Sequence, residues 1–303
     1  MISFRQHLVS LVAVFLALAV GVVLGGGPLS DLGRTTADEA ADASGTATQD
    51  PAAEAAAAFT GDYALATAPG TLAGDLEGQT VVLVTLPGAD AAVTKQLGSL
   101  VSAGGGTVVG QYAVQPALVD PGEKSLVDTL GSQLVTSLKG VDVPADATTY
   151  VRMGRLLGLG VATRTPAGAP RDANADSVVE SLTGAELLTT TGNAAKRGSL
   201  VLVVMGDEPT DPEAGGDVIM SGLTTGLAQV TRGVVVAGST ASADTGELAQ
   251  LREDEALTAT VSTTDSVQTT AGQVTAVLAL AAAQNGDVGA FGASGADGAV
   301  PAG

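Results

Sequence analysis
The chain has 303 residues, with 32 acidic side chains against 13 basic ones, a net charge of −19, no cysteine and 2% aromatic residues. A surface of that sign repels phosphate backbones, which excludes nucleic acid as a partner and disfavours anionic lipid. Without cysteine there are no disulfides, thiolate metal sites or thiol catalysis, so stability has to come from a packed core of Val, Leu and Ala.

Leu8 to Ser30 is a run of 23 residues without a charge, behind a start whose basic side chains are Arg5 and His7. At about 1.5 Å of rise per residue a helix of that length exceeds the ~30 Å hydrocarbon core of a bilayer, whereas the apolar part of a secretory leader is only about 7–15 residues. Gly25-Gly26-Gly27-Pro28 stands where a small-residue cleavage site would be needed. Residues 8–30 therefore read as a single transmembrane helix in the lipid bilayer, uncleaved. The positive-inside bias puts residues 1–7 in the cytoplasm and everything after the helix outside the plasma membrane. All 32 acidic residues and 12 of the 13 basic ones follow Ser30.

Residues 31–60 are mostly Ala, Asp and Thr, broken by Gly45 and Pro51, and read as a spacer. The Ala55–Ala58 run has helical propensity, but no a/d pattern of large apolar residues supports a coiled-coil stalk. From 61 to 285 strands and helices alternate. Val81–Leu86 is a continuous apolar run, the mark of a strand covered on both faces, and Pro87-Gly88 ends it. Val93, Leu97, Leu100 and Val101 recur at helical spacing, Gly104-Gly105-Gly106 stops that helix, and Thr107-Val108-Val109 opens the next strand. The plan returns as a strand over Ser199–Met205, an acidic loop, a helix near Asp217–Val230 and a strand over Gly233–Ala237. Between these halves lie helices near Lys124–Leu138, Thr148–Val161 and Asp176–Leu188, with Asp146 or Ala147 near the second start and Asn174 placed to cap the third. A strand near Thr258–Ser262 and a helix near Ala271–Ala283 follow, with Gly286 supplying a left-handed stop.

The predicted fold class is α/β, a Rossmann/flavodoxin-like extracytoplasmic domain with a mostly parallel sheet, as one domain or two βαβ lobes. Residues 286–303, Gly- and Ala-rich with only Val288, Phe291 and Val300 to bury, read as a loose tail.

The chemistry is defined mostly by what is missing. The one histidine, His7, lies at the membrane boundary, so no exported residue can be the imidazole of a triad or a metal site. Asp207, Glu208, Asp211, Glu213 and Asp217 gather five carboxylates after the second βαβ strand, but their spacing fits no EF-hand, and a solvated acidic loop is the simpler reading. Gly158-Leu159-Gly160-Val161-Ala162-Thr163 resembles the opening of a dinucleotide fingerprint but follows a helical pattern and has Thr at the third glycine position. Ser239-Thr240-Ala241-Ser242 follows a strand at a carboxyl end of the sheet, where α/β folds bind ligands, and is also an ordinary hydroxyl-rich turn. Met153, Met205 and Met220 are dispersed in apolar patterns and read as core. No catalytic residue and no cofactor is assigned, the metal ligands are unassigned, and the chain is read as a non-enzyme.

The stretch Met1–Gly21, with Phe4-Arg5-Gln6-His7 ahead of the apolar run, resembles the N-terminus of the actinobacterial MctB family, described as copper transport outer membrane proteins. Val261-Ser262-Thr263-Thr264-Asp265-Ser266-Val267, Gly272-Gln273-Val274, Leu278-Ala279-Leu280 and Phe291-Gly292 are similar to that family's C-terminal region. The resemblance implies copper efflux or homeostasis across the cell envelope, with a channel role proposed for the family. The same architecture is similar to that of the SteB envelope proteins, which implies as an alternative a scaffold for septal cell-wall assembly acting through a membrane partner. Both leave room for an envelope protein partner and for homo-oligomerisation. Copper(I) selects Cys, Met or His, and the exported part offers only the three methionines.

Overall fold
The computed structural model describes residues 51–302, apart from Asp142, Ala145, Asn193 and residues 207–215. The apolar run 8–30 and the acidic loop up to Glu213 lie outside the described residues, and no described helix is long and apolar enough to cross a membrane. From Ala58 onward the chain forms one compact unit.

The central strands form because their residues have nowhere else to go. Strand β1 (Thr80–Thr85), apolar from Val81 to Val84, and strand β6 (Leu200–Val204), apolar throughout, pair in parallel, Val81 with Leu200 through Thr85 with Val204. Successive side chains in a strand point to opposite faces, so such strands require a layer on each side. Helix α1 (Pro51–Leu72) precedes β1, and helix α2 (Ala91–Ala103) links it to strand β2 (Thr107–Val114). Asp90 caps α2 by accepting the amides of Ala92 and Val93. The chain then builds the short helix α3 (Pro116–Val119), helices α4 (Lys124–Ser137) and α5 (Thr149–Val161), strand β3 (Ala169–Pro170), helix α6 (Ala173–Gly184), and strands β4 (Leu188–Thr191) and β5 (Lys196–Arg197) before reaching β6. Helix α7 (Gly216–Ala228), strand β7 (Gly233–Ala237), the short helices α8 (Thr240–Asp244), α9 (Glu247–Glu253) and α10 (Glu255–Thr258), strand β8 (Ser262–Thr264), helix α11 (Thr270–Ala283) and strand β9 (Ala290–Phe291) complete it.

The main sheet has the order β4-β2-β1-β6-β7-β8-β9, parallel except for β4, which runs antiparallel to β2; β3 and β5 form a separate two-stranded pair. This is one continuous sheet, not two lobes. Leu83, Leu202 and Val235 face a core closed by the end of α1, by α2 and by α11, while Val82, Val201 and Val234 face a core closed by α4, α5, α6, α7 and α9.

Helices α5 and α7 meet backbone to backbone. A Cβ on Gly154 would run into the Leu223 carbonyl, one on Gly226 into the Val151 carbonyl, and one on Gly158 into the Val230 side chain. Gly160 faces Val178 and Val179 of α6. The glycines read as the start of a nucleotide fingerprint are thus packing positions inside a helix.

Four sequence expectations shift. Helix α1 (Pro51–Leu72) takes in residues 51–60 of the stretch read as a spacer, although only Ala68 and Leu72 of it are buried. Helix α6 ends at Gly184 rather than Leu188, and Asp172, not Asn174, caps it, while Asn174 donates to the Lys139 carbonyl. Strand β8 begins where the expected 258–262 strand ends. The stretch from Gly286, expected loose, instead supplies β9, paired with β8 through Thr263–Ala290 and Thr264–Phe291.

Because β1 is fully covered, Val82→Asp and Leu83→Asp should each unfold the chain, each burying an unpaired carboxylate at a cost of several kcal/mol against a total stability of about 5–15 kcal/mol. Circular dichroism on both variants checks this; one folded and one unfolded protein would mean that one face of the sheet is open. Gly154→Ala should cost about 1–3 kcal/mol by forcing α5 and α7 apart, read as a lowered denaturation midpoint.

Candidate functional site
Doubly wound sheets bind ligands at the carboxyl ends of their strands, where the strand order reverses. Here that point lies between β1 and β6. It is filled by the chain itself: a Cβ on Gly206 would collide with the Pro87 carbonyl, and the Leu86 amide donates to the Val204 carbonyl at 2.9 Å. Gly206 and Pro87, each just beyond its strand, therefore touch where a crevice would otherwise open.

The densest polar network at this end of the sheet lies further along, at β7, β8 and β9. Asp265, immediately after β8, is completely buried. Its carboxylate accepts hydrogen bonds from the Ala293 amide at 2.6 Å, the Ser294 amide at 3.0 Å, the Ser294 hydroxyl at 2.7 Å and the Ser266 hydroxyl at 2.7 Å. Arg252 of α9 adds both terminal guanidinium nitrogens at 3.2 Å, while its Nε donates to Thr263 and Nη2 also donates to the Phe291 carbonyl. Gly292 makes the turn with φ of 116°, and a Cβ there would sit in the carboxylate. Burial by itself would raise the Asp265 pKa, but donation from Ser266, from Ser294 and from the Ala293 amide outweighs it and holds the carboxyl below the usual carboxylate range.

The hydroxyls of the Ser239–Ser242 turn serve local backbone caps, except that Thr240 joins the Asp265 network. Ser239 accepts the Ser242 amide as the cap of α8, and Ser242 accepts the Leu248 amide. Ser266 spends its proton on Asp265, so at the 3.0 Å contact it accepts from Thr240, which in turn accepts from the Gln268 side-chain amide at 2.8 Å. Gln268, Thr240 and Ser266 thus form a one-way hydrogen-bond chain ending on a carboxylate. It fixes geometry.

The three methionines are core residues: Met153, Met205 and Met220 are 0%, 5% and 3% exposed and pack within one aliphatic cluster. Among the described residues no group of three or more His, Asp or Glu side chains is placed to hold a metal ion. Asp217 falls in the first turn of α7; the rest of the acidic loop and His7 lie outside the described residues.

Two open cavities flank the other edge of the sheet. One, of about 640 Å³, lies between the start of β4, the end of α6 and the α3–α4 corner, and is bordered by Gln115, Glu123, Leu126 and Glu186. The second, of about 760 Å³, lies between α2 and the outer sheet face and is bordered by Lys95, Ser99, Gln111 and Thr191. Sequence reasoning missed both, because β4 reads only as a short polar run.

The residue pattern of the family described as copper transport outer membrane protein, MctB, matches residues 1–301 of this chain. Over 301 residues, 92% of each chain, it is 34% identical to the copper transporter MctB of Mycobacterium leprae. Over 298 residues, again 92% of each chain, it is 30% identical to the proteins of the same name in Mycobacterium bovis and Mycobacterium tuberculosis.

Asp265 ties the C-terminal stretch to the sheet, which gives a pH dependence of definite sign. A carboxyl whose folded pKa is depressed stabilises fully above its unfolded value of about 3.9 and loses that contribution as pH falls through the folded value. Unfolding temperature should therefore be level from about pH 7 to about pH 5 and fall below about pH 4. Asp265→Asn should lower the level part by the equivalent of about 3–5 kcal/mol, the cost of leaving Arg252 and the donors on the strap formed by residues 290–294 without their charge, and should reduce the acid-side drop. Equal unfolding temperatures for the two proteins at neutral pH would show that the strap is held by other contacts.

Proposed function
The chain belongs to the MctB family of copper transport outer membrane proteins, and from that premise we propose that it is a non-catalytic envelope protein serving copper efflux or homeostasis, anchored by residues 8–30, whose extracytoplasmic α/β domain acts through a partner and not through a copper site of its own. The observation that carries this reading is the burial of Met153, Met205 and Met220 in the aliphatic core. Copper(I) needs sulfur or imidazole ligands. The described domain spends its only thioethers on packing. Its strands build a covered parallel sheet with helices on both faces, which favours a binding module beside a transport path over a pore wall. Anchoring is supported by the uncharged length of Leu8–Ser30.

A second reading, a scaffold for cell-wall assembly, is favoured by the outer face of α1. Phe59 and Tyr63 stack there at 6.3 Å between ring centroids while 71% and 62% exposed, and Leu65 is 48% exposed. Large apolar side chains held in water are what a protein-binding surface presents.

Deletion of the gene separates the two. Copper sensitivity with normal septation supports the copper role; septal defects at ordinary copper, with no change in copper tolerance, support the scaffold and overturn the copper role. Complementation then tests the mechanism. The triple variant Met153→Leu, Met205→Leu, Met220→Leu keeps core volume nearly constant and should restore copper tolerance fully, whereas loss of tolerance in a stably folded triple variant would show that the thioethers bind the metal. Leu16→Arg should fail to complement and leave the chain outside the membrane fraction, because an arginine at a helix centre costs about 2.5–3.5 kcal/mol on insertion.

A further inference from the structure
Strand β4 is the end of the sheet. It pairs with β2 on one side, Leu188 opposite Val114 through Thr191 opposite Gln111, and no described strand pairs with its other side. Natural edges are blunted by charges, proline or a bulge. Leu188-Thr189-Thr190-Thr191 has no charge and no proline, its register is unbroken, and Thr189 and Thr191 are exposed.

The edge lies between two cavities, one on each side of the sheet. Leu188 and Thr189 border the first, and Thr191 with its cross-strand partner Gln111 borders the second. The side chains of a strand added to this edge would alternate between the two faces and so enter the two cavities in turn. Charge selects among occupants. The first cavity presents Glu123 and Glu186 and no basic side chain. A second copy of this chain brings a net charge of −19, and the chain's own residues 31–50 bring five carboxylates against Arg34 alone. Neither complements two glutamates. We infer that the outer edge of β4 is a strand-addition site for an extended, basic segment of a partner protein.

The probe is a twelve-residue peptide of alternating Lys and Val, added to the purified full-length chain at physiological salt, with hydrogen exchange followed by mass spectrometry. At saturation the amides of residues 187–192 should exchange about tenfold more slowly, with the rest of the sheet unchanged. Methylating one alternate set of the peptide's backbone nitrogens should abolish binding, and methylating the other set should leave it intact, because only one set faces the edge. Glu123→Gln with Glu186→Gln should weaken binding about fivefold, as expected for two exposed ion pairs, and a Glu–Val peptide should not bind. No slowing at residues 187–192 with millimolar Lys–Val peptide overturns the proposal. So does equal binding by both methylated peptides, which would reduce the interaction to diffuse charge attraction.

Discussion
A core with almost no aromatic rings must be closed by bringing backbones together. Interiors pack at near-crystalline density, and rings normally fill much of that volume. This chain has seven aromatic residues and 41 glycines, and two of the rings, Phe59 and Tyr63, are spent on the surface. Tyr112, Tyr150 and Phe291 are the only rings buried among the described residues, and the rest of the core is mostly Val, Leu and Ala, whose side chains are too short to bridge layers at ordinary helix spacing. Glycine removes the spacing. Gly154, Gly158, Gly222 and Gly226 let α5 and α7 touch along their backbones, and Gly206 lets the loop after β6 rest on Pro87. The same economy that closes the core also closes the crevice at the point of strand reversal. At that point of the mostly parallel sheet the main chain at Gly206 lies against Pro87, and the polar network and the two cavities lie at the sheet edges.

The buried carboxylate of Asp265 follows a different rule. A charge inside a protein is tolerated only when its lone pairs are occupied, and here the main chain of the strap, two hydroxyls and a guanidinium occupy them. An aliphatic residue at this position would pack against β8 with less penalty. It could not dictate where Ala293 and Ser294 lie. The carboxylate gives a two-residue strand, β9, a single register, which hydrophobic contact through Phe291 alone would leave free to slide.

Periodicity made the central fold legible. Continuous β-branched runs identified β1, β6 and β7, and helical spacing located α2, α4, α5 and α11 to within a residue or two, because those elements face the core and their patterns are set by burial. Where burial weakened, the signal failed. Strand β4 is three threonines and a leucine, and β9 is two residues whose pairing depends on a turn that no pattern announces. The end of α6 shows the limit most clearly. Helices α2 and α11 stop in a left-handed turn at Gly105 and Gly286, as their glycines suggest. Helix α6 stops with the same pair of bonds, Leu187 to Leu182 and Glu186 to Thr183, but with Glu186 in the left-handed position at φ of 57°. Sequence offers no stop there, and Leu187 and Leu188 prolong the apolar pattern. In the sequence Asp265 is one letter of a polar segment, since nothing in a run of Ser and Thr tells a buried carboxylate from a solvated one.

The distance in sequence between Asp265 and its donors has a consequence for biogenesis. Ala293 and Ser294, whose amides it accepts, are made some 30 residues after the aspartate itself. Chains emerge at roughly 5–20 residues per second and fold as they emerge. Until that stretch arrives, the end of β8 carries a charge that only Arg252 and Ser266 attend to. A polypeptide cut by a protease between Asp265 and Ala293 returns to that state, with a buried carboxylate that has lost two amide donors and a hydroxyl. The strap thereby acts as a late latch: the edge of the sheet at β8 is settled only once residues 290–294 are in place.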